Sequence, residues 1–233
     1  MSGASGVRWY VGAPGTGKTT RALADAAALV AETGYPLVVL DSAGAAQLET
    51  VPHVEQLEQL AERVWGKGLH TAWIGTDSEA VERLLAGVFA GGNCILLVDE
   101  TAFWLTSRRG TSSWLLRLMR SHRHARVWLL LTTQHFSGDL PQEALACGPE
   151  LLVSRVTSPT ALDLLERRYG CDPDMIRRLP VGKFLRVDLE SDASAGEPLE
   201  RMGGPAAAEG AFSPSAPDAS AGPPDLSQSE SST

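Results

Sequence analysis

The segment Gly12-Ala13-Pro14-Gly15-Thr16-Gly17-Lys18-Thr19 constrains this chain more than any other. Gly12, Gly15 and Gly17 let the backbone turn tightly and aim successive N–H groups at one point. A short apolar run from Val7 to Val11, interrupted by Arg8, leads into it, and an alanine- and leucine-rich stretch from Thr19 to Thr33 follows, with Gly34 as a C-cap. Strand, glycine loop and helix in that order bring the positive end of a helix to the loop, and the product is a cradle for phosphate. Lys18 then reaches β- and γ-phosphates, and the Thr19 hydroxyl completes a Mg²⁺ shell. Ala13, Pro14, Thr16 and Thr20 complete the nucleotide-binding segment.

A second signal is the continuous apolar run Cys94 to Val98, ended by Asp99-Glu100. A run with no polar alternation suits a central parallel strand covered on both faces, and ligands of such sheets bind at the strand ends. There Asp99 can hold Mg²⁺ through water, and Glu100 can polarise an attacking water as general base. Two acids after an apolar run also suit a merely polar strand end; the glycine loop, 80 residues earlier, favours the chemical role. A third element is Thr132-Thr133-Gln134, after the run Val127 to Thr132. A Gln between the phosphate loop and the acidic strand can bond both the γ-phosphate and the water, while a solvent-facing strand end is the plainer alternative.

Other segments alternate between the two periods. Strands are expected at Pro36 to Leu40 (ending in Asp41), Thr71 to Ile74, Leu151 to Val153 and Phe184 to Leu189. Helices are expected at Val54 to Trp65, Ser78 to Ala90, Trp114 to His122, Pro141 to Ala146, Ala161 to Tyr169 and Asp172 to Arg178. Strands alternating with helices over about 180 residues predict an α/β fold with a mostly parallel sheet.

The net charge of −8 conceals two compositions. Residues 191–233 carry seven acids against Arg201, are rich in Pro, Ala, Ser and Gly, and show no period, which predicts a disordered tail. Residues 1–190 form the folded domain and are nearly neutral, so local basic patches remain available to a nucleic acid while a wholly basic coat is excluded. Arg117, Arg120, Arg123 and Arg126 form one periodic basic series, and Arg108, Arg109, His122 and His124 extend it. Such a series also suits a solvated helix face; Arg108-Arg109-Gly110, in a polar loop, is the preferred nucleic-acid-facing candidate, with a simple soluble loop as the alternative. Cys94, Cys147 and Cys171 match no metal spacing and read as reduced, mostly buried thiols. No secretory signal and no transmembrane segment is expected.

With these residues in place the chain resembles the FtsK–HerA group of DNA-pumping ATPases over Val7 to Leu189. The likeness rests on GAPGTGKTT, VVLDSAG, CILLVDETAFWL, RSHRHARVWLLLTTQHFSGDLP, LLVSRVTSPTALDLLERRYGCDP and LPVGKFLRVDL. Thr133, Gln134 and Leu140-Pro141 fit the group's T-Q-R-P-x-x-L-P block, whereas His135 and Phe136 depart from its R-P pair. The resemblance implies a RecA-like P-loop NTPase three-layer sandwich with a mostly parallel central sheet, using ATP and Mg²⁺. It implies a ring, a homo-hexamer or a related one, around double-stranded DNA, with Arg123 reaching a neighbour's ATP. A phosphate loop beginning at residue 12 and an ordered chain ending near Leu189 resemble the genome-packaging ATPases of tailless, internal-membrane icosahedral viruses. That implies action in the host cytoplasm and at the virion packaging vertex, beside a capsid-vertex or membrane protein. A plasmid or cellular translocase, a nucleotide-dependent assembly switch and a small-molecule kinase are the alternatives.

Overall fold

Every strand that carries the site is apolar on both faces, and each face is covered by helices. The computed structural model describes residues 5–41, 53–54, 59–60, 62–68, 70–74, 77–105, 112–136, 140–147 and 150–188. Its strands are β1 (Gly6–Val11), β2 (Leu37–Asp41), β3 (His53–Val54), β4 (Thr71–Ile74), β5 (Cys94–Asp99), β6 (Val127–Thr133), β7 (Glu150–Val153) and β8 (Leu185–Asp188). Its helices are α1 (Lys18–Thr33), α2 (Ser78–Gly91), α3 (Ala102–Leu105), α4 (Ser113–Ala125), α5 (Gln142–Ala146), α6 (Pro159–Tyr169) and α7 (Pro173–Arg178). The strands form one sheet in the order β3-β4-β2-β5-β6-β1-β7-β8. All neighbouring pairs are parallel except β7 and β8.

Side-chain alternation splits the core into two clusters. Val38, Leu40, Leu96, Val98, Leu129 and Leu131 face α2, α4 and α6, whose Val81, Leu85, Leu118 and Leu165 meet them. Leu37, Val39, Ile95, Leu97, Leu130 and Leu152 face α1 through Ala22, Ala26 and Leu29. Full burial of one such aliphatic side chain stabilises the fold by about 1.5–3 kcal/mol. Small residues on the inner stripe of α1 let that helix lie close to β5 and β6, bringing its N-terminus to the ends of those strands.

The helix ends follow the sequence signals. Gly34 is left-handed and donates its N–H to Val30 O, closing α1. Asp77, Ser112, Ser158 and Asp172 accept backbone N–H groups at the starts of α2, α4, α6 and α7. At the far end of the sheet a Cβ on Gly92 would lie 2.3 Å from Ala125 O, so only glycine allows the α2–β5 turn to approach the α4–β6 turn. Asn93 donates to that same carbonyl, which sets Cys94 opposite Val127.

One helix expectation, Val54 to Trp65, holds only in part: residues 59–60 are helical, and 55–58 and 61 lie outside the described residues. His53–Val54 pair with Ala72 and Trp73 as a short edge strand, and Glu62–Gly66 form a π-helical turn. The tertiary contact explains the second departure: Trp65 lies against Gly91 and donates its indole N–H to Gly92 O, which an α-helical turn chosen by periodicity alone does not anticipate. The final strand is as expected in place but runs antiparallel to β7. The tail expected at 191–233 lies outside the described residues. The three cysteines are free; burial pushes the Cys94 thiol up to about 12 and Cys171 up to about 11, as inert core thiols require. Among the described residues no helix is long and apolar enough to cross a membrane.

Candidate active site

The pleat that buries the α1 face of the sheet also builds the site. On each strand the residues facing α1 are every second one, and the last of them is polar: Asp41 on β2, Asp99 on β5, Thr132 on β6. Just past β7, Ser154 continues the same alternation. These groups come to the sheet edge where α1 begins. A one-residue slip in any strand would turn them to the opposite face.

The loop between β1 and α1 is braced from below. Gly12 N–H donates to Thr133 O at 3.3 Å and Ala13 N–H to Arg155 O at 2.8 Å, tying the loop to the strands on either side of β1. The Thr16 hydroxyl bonds Ala13 O at 2.8 Å and shares a 2.7 Å hydrogen bond with the Ser154 hydroxyl, which itself reaches Val11 O at 3.0 Å. A Cβ on Gly12 would fall 1.7 Å from Ser154 Oγ. Gly15 and Gly17 hold positive φ angles of 69° and 89°, a region costly for other residues. Gly17 caps α1 without a side-chain oxygen. The first amides of α1 are therefore open to an anion, as the capped amides of α2, α4, α6 and α7 are not. The Lys18 ammonium donates to Ala13 O at 2.9 Å, under the crest formed by exposed Pro14 and Gly15. Burial holds its pKa below the ordinary lysine value, and the nearby Glu100 and Asp99 carboxylates oppose that shift. Thr20 stands exposed on the first turn of α1.

The carboxylates are held by hydroxyls. Thr19 Oγ1 donates to Asp99 Oδ1 at 2.9 Å and Thr132 Oγ1 to the same oxygen at 2.8 Å. Thr132 also accepts the Glu100 N–H at 3.0 Å, so one hydroxyl orders both acids. Glu100 has φ 53°, a left-handed conformation costing a non-glycine residue about 1–3 kcal/mol. That turn aims its carboxylate at the end of β6, where Thr133 Oγ1 donates at 3.3 Å and Gln134 N–H at 3.2 Å. Burial raises the Glu100 pKa above the ordinary glutamate value, and the Gln134 amide and the charges of His135 and Lys18 work against it. Gln134 is thus brought to Glu100 through its backbone, with its residue exposed.

These donors fit a magnesium nucleotide. Hard oxygen atoms of Thr19 and Asp99 converge, a buried ammonium stands beside them, and uncapped helix amides face the loop.

The arginine series separates into different surroundings. The Arg117 guanidinium stacks 4.8 Å from the Phe89 ring and 4.6 Å from the Trp114 ring, and Arg120 pairs with Glu143. Arg126 has φ 54° and ends α4. Arg123 is exposed in the last turn of α4, at the N-terminal end of β6 and away from its own chain's loop. His122 leaves the basic patch: it is buried, and its Nδ1 lies 3.0 Å from Met119 O. His124 is exposed. Arg108, Arg109 and Gly110 lie outside the described residues.

Sequence reasoning gave Thr132 a place in the third element without a role, and missed Ser154 as a site residue. A threonine closing an apolar strand was a usable signal for the first. Ser154 becomes legible only when β7 is known to lie beside β1.

A family model described as "ATPase family associated with various cellular activities (AAA)" matches residues 9–153. No curated protein matches by sequence. Among solved structures, the genome packaging NTPase B204 of Sulfolobus turreted icosahedral virus 2, in complex with AMPPCP, superposes with a TM-score of 0.70 at 14% identity, covering 85% of this chain and 100% of that one. The DNA-packaging ATPase B204 of Sulfolobus turreted icosahedral virus gives 0.66 at 15% identity, over 86% of this chain and 100% of that one. EccC of Thermomonospora curvata gives 0.54 at 15% identity, over 83% of this chain and 40% of that one. The chain has the RecA-like P-loop NTPase fold, with a mixed, mostly parallel central sheet flanked by helices.

Proposed function

Because this chain belongs to the family of ATPases associated with various cellular activities, we propose that it spends ATP at the Gly12–Thr19 site to translocate double-stranded DNA, packaging a viral genome into a preformed capsid. Binding of ATP by the phosphate loop is the shared property of the fold and the site, and the chemistry of hydrolysis follows from the residues around it. Lys18 leaves the Ala13 carbonyl to neutralise β- and γ-phosphate charge, and the α1 amides receive the remaining oxygens. Thr19 and Asp99 would hold Mg²⁺, whose charge would offset that of the phosphates. Glu100 takes the proton of the water that attacks the γ-phosphorus, and Gln134, at the end of β6, orients that water.

The observation that carries the reading is the carboxylate pair at the end of β5, ordered by Thr132 against the phosphate loop. In this reading the pair serves water activation. The extension to DNA is supported by the FtsK–HerA-like blocks of the sequence and by the likeness to the B204 packaging enzymes over 85–86% of this chain. In this reading the working form is a homo-hexamer or related ring, Arg123 acts on a neighbour's nucleotide, and a capsid-vertex or membrane protein anchors the motor. Residues 1–190 are the motor and 191–233 a tail, and the protein works in the host cytoplasm and at the packaging vertex.

The test is the ATPase rate with and without long duplex DNA, across protein concentrations spanning assembly. The expected result is a rate that rises with both. Hydrolysis indifferent to DNA at every concentration would replace the motor with a nucleotide-dependent assembly switch, and phosphate transfer to a small molecule would replace it with a kinase.

A further inference from the structure

The γ-phosphate end of the site is defined by β5 and β6, and the loop itself rises from β1. The strand order β5-β6-β1-β7-β8 then fixes a direction: a nucleotide with its terminal phosphate toward Glu100 extends its ribose and base the other way, toward β7 and β8. On that side the residues between α7 and β8 make a turn against the loop. Gly182 N–H donates to Thr16 O at 3.2 Å, and a Cβ on Gly17 would lie 3.7 Å from Gly182 Cα. Gly182 itself has φ 77°, and Lys183 N–H closes the turn on Pro180 O at 3.1 Å. The turn is therefore fastened to the phosphate loop.

At its tip Val181 is 60% exposed, the more open of the two large apolar residues so placed among the described residues. An apolar side chain beside a polar loop, held there by a backbone hydrogen bond and a left-handed glycine, is available to a flat apolar ligand face. We propose that the turn 180–183 is the base-side wall of the nucleotide site and that Val181 packs against the purine ring. Val181 makes no phosphate contact in this assignment; it is a specificity residue for a base over a bare polyphosphate. The assignment rests on the reading of Gly12–Thr19 as an ATP site.

The experiment compares ADP with inorganic pyrophosphate, each with Mg²⁺, by titration calorimetry on the full chain. Wild type is expected to bind ADP more tightly than pyrophosphate. Val181→Ala should weaken ADP about three- to ten-fold and leave pyrophosphate unchanged, because apolar contact area is lost only where the base sits. Val181→Thr, of similar shape, should fall between the two. Circular dichroism melts of the variants should match wild type, since the residue is exposed. An unchanged ADP-to-pyrophosphate ratio in Val181→Ala overturns the wall, including the case where the variant alters only self-assembly. Equal wild-type affinity for ADP and pyrophosphate also overturns it and leaves the phosphate loop standing. Binding of neither ligand by wild type removes the ATP site itself, and the wall with it.

Discussion

The two ends of β5 and β6 are built from opposite materials. At the C-terminal ends Asp99, Glu100, Thr132 and Thr133 are bonded to one another and to the phosphate loop within one chain. At the N-terminal ends Arg123, His124 and Arg126 stand exposed around a left-handed turn. The seven residues of β6 separate these ends by roughly 20 Å, so Arg123 cannot serve its own chain's nucleotide. In the proposed function a carboxylate at one end acts within the chain and an arginine at the other acts across a boundary between copies. Each end can therefore be tested by asking whether its effect depends on assembly.

The largest expected effect is at the loop. Lys18→Ala removes the buried ammonium, and ATP binding, followed by titration, and phosphate release should both fall to background. Retained hydrolysis would break the assignment of this end of the strands. Glu100→Gln should lower turnover by up to about 10⁴-fold while ATP remains bound. Wild-type turnover in that variant would remove the base role.

Glu100 also carries a pH signature. As the proposed general base Glu100 must be ionised, and burial raises its pKa, so the acid limb of the rate profile should lie above the ordinary glutamate range of roughly 4.3. The sign for stability is the reverse. A raised folded pKa stabilises the fold below the unfolded value, and that contribution is lost as pH rises through the folded one. Glu100→Gln should therefore melt higher than wild type at neutral pH, with the gap closing in acid. An acid limb at or below the ordinary range would contradict the buried setting.

At the opposite end, Arg123→Ala should lower assembled turnover about 10³-fold, as for an arginine acting in trans, and leave the melting temperature near wild type. Mixing it with Glu100→Gln subunits should restore turnover, because sites then arise with an intact base from one copy and an intact arginine from the next. No recovery in mixtures that demonstrably co-assemble would deny the crossing. Thr132→Val is smaller. It leaves Asp99 and the Glu100 amide without a shared partner and should cost about 1–3 kcal/mol in chemical denaturation. Smallest is Arg117→Ala, which loses stacking on Phe89 and Trp114 and should cost about 0.5–1 kcal/mol with no effect on mixed-subunit recovery. That pair of arginines, six residues apart on one helix, separates a packing role from a crossing role.

The phosphate loop, the acidic strand and nearly every central element were legible because each is local: a glycine spacing, a continuous apolar run, a cap. Gln134 was legible as a position and not as a contact, since sequence does not tell that its backbone rather than its side chain meets Glu100. The arginine series looked uniform because periodicity reports one face of a helix and not what packs on it; Phe89 and Glu143 come from distant segments. The same limit hid Ser154, whose role depends on β7 lying beside β1, and mistook part of 54–65 for α-helix, where His53–Val54 pair with β4 and Trp65 answers to Gly91 and Gly92.

The reversal at β8 has a practical meaning. Leu185 pairs with Val153 at the nucleotide end and Asp188 with Glu150 at mid-sheet, so the last described strand carries the chain away from the site. A fluorophore or affinity handle attached at Asp188 starts level with Leu130, in the middle of β6 and away from the nucleotide end. It would leave the fuel entrance clear, and one attached in the turn at 180–183 would obstruct it.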